Sequence, residues 1–142
     1  MKRMLRDEKG TALIEAAITV PIILLIAVGI FEFGRAYQTQ QVLVNASREG
    51  ARMAVIEGST DAQVRQRVND YLSGGGLATL ADDKIAINRA SALTASATGS
   101  NVEVNYPFQF IVLNPIVRLV APGDTTTGAP ITMKAATTMR NE

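Results

Sequence analysis

The chain has 142 residues, 14 basic and 13 acidic, for a formal net charge of +1. That length allows a membrane anchor plus one small domain, and the near-neutral charge leaves no general attraction for nucleic acid. It contains no His and no Cys, which excludes Ser-His-Asp and Cys-His nucleophiles, thiolate or imidazole metal sites and disulfides. Only an all-oxygen site for a hard cation survives, so the composition points away from an enzyme.

Residues 1–10 form a basic leader: Lys2, Arg3, Arg6 and Lys9 against Asp7 and Glu8. Residues 16–31 then run uncharged, about 24 Å of helix and short of a hydrocarbon core of roughly 30 Å. Extended to residues 11–33 the helix covers about 35 Å, enough to span, with Glu15 near one end and Glu32 near the other. A cleaved signal peptide is disfavoured, because its small-x-small candidate, Ala27-Val28-Gly29, is followed by more apolar residues. The leader's charge places the N-terminus in the cytoplasm and the C-terminal bulk outside. Pro21 lies within the span, where membrane helices tolerate it and a kink is expected.

Glu15 is unusual, because a carboxylate in a membrane helix needs a partner, a cavity or the headgroups. It is the fifth residue after Gly10, in Gly10-Thr11-Ala12-Leu13-Ile14-Glu15. That pattern, after a basic leader and opening an apolar helix, resembles the prepilin cleavage motif of the type IV pilin superfamily. The longer stretch resembles the TadE-like pseudopilins of the Flp (tight-adherence, Tad) pilus system. The resemblance rests on Glu15-Ala16-Ala17, on Pro21, on Gly29-Ile30-Phe31-Glu32-Phe33-Gly34-Arg35-Ala36 and on Asn45-Ala46-Ser47-Arg48-Glu49-Gly50-Ala51-Arg52. The ending Ala135-Ala136-Thr137-Thr138-Met139-Arg140 is also similar to that family's.

The resemblance implies cleavage between Gly10 and Thr11 by a prepilin peptidase. It further implies a minor pilin or pseudopilin of the bacterial inner membrane, working with other pilin subunits and the inner-membrane assembly platform. Cleavage removes four basic and two acidic residues, so the remainder carries 10 basic and 11 acidic groups, a charge of −1. In an assembly, Glu15 is expected to pair with the new α-amine of a neighbouring subunit. Two other readings stand beside this one. The first is a single-span envelope protein with a distal binding domain unrelated to pili. The second is a membrane-anchored hydrolase, for which no residue set can be nominated.

The helix is expected to continue past the membrane to residue 57, carrying i,i+3 pairs Glu32–Arg35 and Glu49–Arg52. Ala46, Gly50 and Ala54 recur every four residues, a small-residue stripe suited to close helix packing. The partner is open at this stage: a neighbouring subunit or the chain's own distal domain. Arg48 and Arg52 sit one turn apart, on a solvated face or against headgroups.

Residues 58–142 are expected to form a distal α+β domain. Ser59 or Thr60 caps a second helix over residues 61–72, with Val64, Val68, Tyr71 and Leu72 on one side and Asp61–Arg65 as an i,i+4 pair. Gly74-Gly75-Gly76 lacks the Lys-Ser/Thr of a phosphate loop and is expected to end that helix. Three period-two segments follow. One holds Ile85 and Ile87, the next runs from Val102 to Phe110, and the last from Ile131 to Met139. They predict an antiparallel sheet of about three to four strands covering the helix, with Pro107 at an edge or bulge. Residues 90–100 are read as a hairpin loop with strand ends. Asn114-Pro115 is read as the start of a short apolar helix through residue 120, and residues 122–130 as a Thr/Gly loop. Asp82-Asp83 fits a solvated turn better than a cation site. No cofactor, metal or catalytic residue is nominated.

Overall fold

A computed structural model describes residues 8–94, 97–115 and 129–141. Its first element, α1, is a single helix over Glu8–Ala54, 47 residues or about 70 Å, and it continues through Pro21. The helix stops at Ala54 rather than residue 57. Past it Gly58 takes φ +77°, a left-handed turn in which L side chains are strained, and the Ser59 N–H donates to the Ile56 carbonyl.

Helix α2, Asp61–Gly74, starts on a full capping box. The Thr60 Oγ1 accepts the Gln63 N–H, and the Gln63 side chain accepts the Thr60 N–H at 2.9 Å. Gly76, at φ +76°, lets the Leu77 N–H return to the Leu72 carbonyl at 2.9 Å and close the helix. The Asn69 side-chain amide then fixes the exit. It donates to the Leu80 carbonyl at 3.0 Å and accepts the Leu80 N–H at 2.8 Å. A 3₁₀ turn at Asp82–Lys84 carries both exposed aspartates.

Strands β1 (Ile85–Thr94), β2 (Ala97–Phe108) and β3 (Ile131–Arg140) form an antiparallel sheet in the order β1-β2-β3. Much of the segment read as a hairpin loop is strand, because β1 and β2 extend to Thr94 and from Ala97. Pro107 pairs with Thr132 of β3, beyond the point where β1 ends against Val104. It therefore occupies a stretch of β2 with one neighbour, where a residue lacking an N–H is tolerated. The expected short helix shows one turn at Leu113–Pro115; its remainder and most of the Thr/Gly loop lie outside the described residues.

One face of the sheet packs on α1 and α2. Leu43, Val64, Val68, Leu72, Ile85, Val102 and Val104 are buried together, with Ala46, Ala51, Ala54 and Ala135 at the close contacts. Ser47 joins helix to sheet through its hydroxyl, 2.8 Å from that of Thr137. Together the long apolar helix and the three-stranded sheet make the α+β architecture with a distal domain.

Candidate anchoring and assembly site

The two parts of α1 differ in their surroundings. From Thr11 to Ala27 every residue is exposed. The covered face begins at Glu32 and then follows helical spacing through Thr39, Leu43, Ala46, Ser47, Gly50, Ala51 and Ala54. The distal domain thus sits on α1 from about the point where the uncharged run ends. This helix is long and apolar enough to cross a membrane.

Gly10 and Thr11, the expected cleavage pair, lie in the first turns of α1. Glu15 is exposed on the bare helix; its backbone carbonyl accepts the Thr19 hydroxyl, and its carboxylate has no ion-pair partner among the described residues. Ala46, Gly50 and Ala54 are all buried against the chain's own α2 and sheet. At Gly50 a Cβ would stand 2.6 Å from Val68 Cγ2 and 3.1 Å from Val102 Cγ1, so the stripe here serves contact within the chain.

The Asp61–Arg65 pair does not form. Asp61 instead receives Arg89 Nε at 2.8 Å, while Arg65 reaches Asp82 at 4.0 Å. Arg89 also donates to the Ala54 carbonyl at 2.7 Å and to Ser59 Oγ at 3.2 Å, gathering the end of α1 and the start of α2 from β1. The i,i+3 pairs do form, Arg35–Glu32 at 3.4 Å and Arg52–Glu49 at 3.6 Å.

Sequence reasoning missed the larger part of the Glu32 arrangement. Glu32 is fully buried, and its carboxylate accepts the Val112 N–H at 2.6 Å, with the Ile111 and Leu113 N–H groups directed at it. Arg35 completes the clasp. It pairs with Glu32, donates to the Gln109 carbonyl and lies 4.5 Å from the centre of the Phe108 ring, which meets Phe110 edge-on. Glu32 and Arg35 both belong to the Gly29–Ala36 motif, but nothing in that motif announces a partner eighty residues away.

Chemistry is sparse by contrast. Among the described residues no three acidic side chains come together to hold a metal ion. A groove of about 510 Å³ between α1 and α2 mixes amides (Gln38, Gln41, Asn45) with Val42, Arg67, Asp70, Tyr71 and two glycines.

The family model of TadE-like proteins matches residues 10–52, from the glycine of the cleavage motif to two residues before α1 ends. Over that stretch the chain is TadE-like. The match supports a TadE-like protein of the Tad pilus system. Comparison with curated proteins and with solved structures gives no match. The TadE-like stretch takes in the bare helix, the Glu32–Arg35 clasp and the buried small residues up to Ala51; α2 and the sheet lie beyond it.

Proposed function

We propose that this chain is a minor pilin or pseudopilin of a Flp/Tad-type pilus, cut between Gly10 and Thr11 by a prepilin peptidase. The observation that carries the reading is the TadE-like match starting at Gly10, on a helix exposed at every residue from Thr11 to Ala27. Before cleavage the helix is a single-span anchor with the leader in the cytoplasm and the distal domain outside. Cleavage removes the charged block that resists movement of the helix out of the bilayer, and it frees an α-amine on Thr11. Glu15, exposed on that helix, is then available to pair with the α-amine of a neighbouring subunit. The partners of this scheme are the peptidase, other pilin or pseudopilin subunits, the inner-membrane assembly platform and the lipid bilayer.

The distal domain fits a minor subunit better than a bulk one. A buried core built around α1 gives each subunit a sizeable folded head, which suits an initiating or tip-like place. The competing reading, a single-span envelope protein unrelated to pili, keeps its leader. N-terminal sequencing of protein extracted from membranes separates them. Thr11 as the first residue supports the pilin reading; Met1 or Lys2 in cells making normal appendages overturns it.

A further inference from the structure

The connection from β2 to β3 is 22 residues long, between Phe108 and Ile131, where neighbouring antiparallel strands need only a short turn. Its first residues run to the membrane end of the domain. The Val112 N–H is held by Glu32, and the Gln109 carbonyl is held by Arg35. Glu32 closes the uncharged run of α1, so residues 109–113 sit level with the outer end of the span.

The side chains at that level are of one kind. Phe31, Phe33 and Tyr37 are exposed on α1, and Ile111 is 59% exposed on the connection that Glu32 and Arg35 tether to this part of the helix. Beyond Tyr37 the large apolar side chains exposed among the described residues are Ile56, Tyr71, Ile111 and Ile131. Two of these four are at this end, since Ile131 opens β3 opposite Phe108. Residues 109–115 carry no charge, while Glu32 and Arg35 beneath them neutralise each other and leave no bare ion to hydrate. Exposed apolar and aromatic side chains at the edge of a span, with the Val112 N–H held by Glu32, match the chemistry of the headgroup–acyl boundary.

We propose that the Gln109–Leu113 segment, with Phe31 and Phe33, is a lipid-interface contact that seats the distal domain on the outer leaflet. The occupant is the bilayer itself. It is chosen because the segment is tethered to the very turn at which the span leaves the hydrocarbon. The contact fixes the height and tilt of the domain while the subunit is in the membrane, and it must be given up when the helix is withdrawn. The proposal rests on α1 crossing the bilayer, and its test separates the two.

The chain has no cysteine, so single-cysteine labelling needs no background removal. The full-length protein is reconstituted in phosphatidylethanolamine/phosphatidylglycerol vesicles with a solvatochromic label on Ile111→Cys, Leu24→Cys or Ile56→Cys. Ile56 is the matched control: the same residue type, 53% exposed, beyond the far end of α1. The expected result is a blue-shifted Ile111 label that has lost most of its quenching by aqueous iodide and is quenched by lipids labelled near the headgroup. The Ile56 label stays open to iodide, and the Leu24 label answers to lipids labelled deep in the chain. An Ile111 label as open to iodide as that at Ile56, with Leu24 still in lipid, overturns the contact and leaves the span intact. An Ile111 label shielded only at high protein density and untouched by labelled lipid also overturns it, and gives the surface to a second protein. A Leu24 label open to iodide sinks the span and the contact together.

Discussion

The Glu32 carboxylate accepts the Val112 N–H at 2.6 Å across eighty residues of sequence. This bond ties the distal domain to the turn of α1 where the apolar run finishes. It also explains how a buried carboxylate is tolerated there, since backbone donors and Arg35 supply what water would otherwise provide.

Removing the acceptor should therefore loosen the join. Glu32→Ala leaves the half-buried Val112 N–H without its partner, and such a group costs about 1–3 kcal/mol to leave unpaired. The expected outcome is a lower unfolding temperature in detergent and faster amide exchange at residues 111–113. Arg35→Ala should cost less, because the Arg35 side chain is 29% exposed and its ion pair is screened. Equal losses from both variants would show that Arg35, through Glu32, the Gln109 carbonyl and the Phe108 ring, holds the segment as firmly as the carboxylate's backbone bond does.

Gly50 makes a different demand on the same helix. A methyl group there meets Val68 at 2.6 Å and Val102 at 3.1 Å, both stiff β-branched side chains in the core. Overpacking of this kind costs about 1–3 kcal/mol, which outweighs the roughly 1 kcal/mol that Ala gains over Gly in a helix. Gly50→Ala should lower the stability of the domain. Gly34→Ala, with nothing within 4 Å, should leave it unchanged or slightly raised. Denaturant midpoints of the two variants check this, and a neutral Gly50→Ala would mean that α1 and α2 shift apart at little cost.

Arg89 supplies a third test, because its guanidinium reaches Asp61, Ser59 and the last carbonyl of α1 together. Arg89→Ala should destabilise by about 1–3 kcal/mol through the freed Ala54 carbonyl and the lost charge-assisted bonds. Arg65→Ala, whose partner Asp82 stands at 4.0 Å and is mostly exposed, should fall within about 0.5 kcal/mol of the parent. Thermal unfolding of the two variants side by side decides the ranking.

The contrast between Arg89 and Arg65 shows what the sequence made legible. Local patterns were readable: the apolar run, a cap at Ser59 or Thr60, the Gly74–Gly76 stop and three alternating strands each depend on near neighbours in the chain. Helical spacing also exposed the Ala46–Gly50–Ala54 stripe, though spacing alone leaves open which surface fills it. Pairings across the fold were not readable. Asp61 has a plausible partner four residues on and a real one twenty-eight residues on, and only the folding of β1 over the helix ends chooses between them. Glu32 is a stronger case. Its partners are backbone N–H groups, which every residue but proline carries, so no side-chain pattern marks them.

Glu15 carries the prediction closest to the proposed function. It stands exposed on the bare helix, four residues past Thr11, and a carboxylate in hydrocarbon costs on the order of 3 kcal/mol near a helix centre. Losing it should therefore favour insertion, so any defect in Glu15→Ala reports on something other than membrane entry. If the carboxylate meets a neighbour's freed α-amine, Glu15→Ala should be inserted and cleaved like the parent and yet be missing from the pilus machinery. Mass measurement of the membrane-extracted chain reads cleavage, and crosslinking to the other subunits reads incorporation. Glu15→Asp keeps the charge but draws it back by one methylene, so partial incorporation is expected of it. Full incorporation of Glu15→Ala would remove the ion pair from the mechanism and leave the apolar face of residues 11–31 to hold the subunits alone.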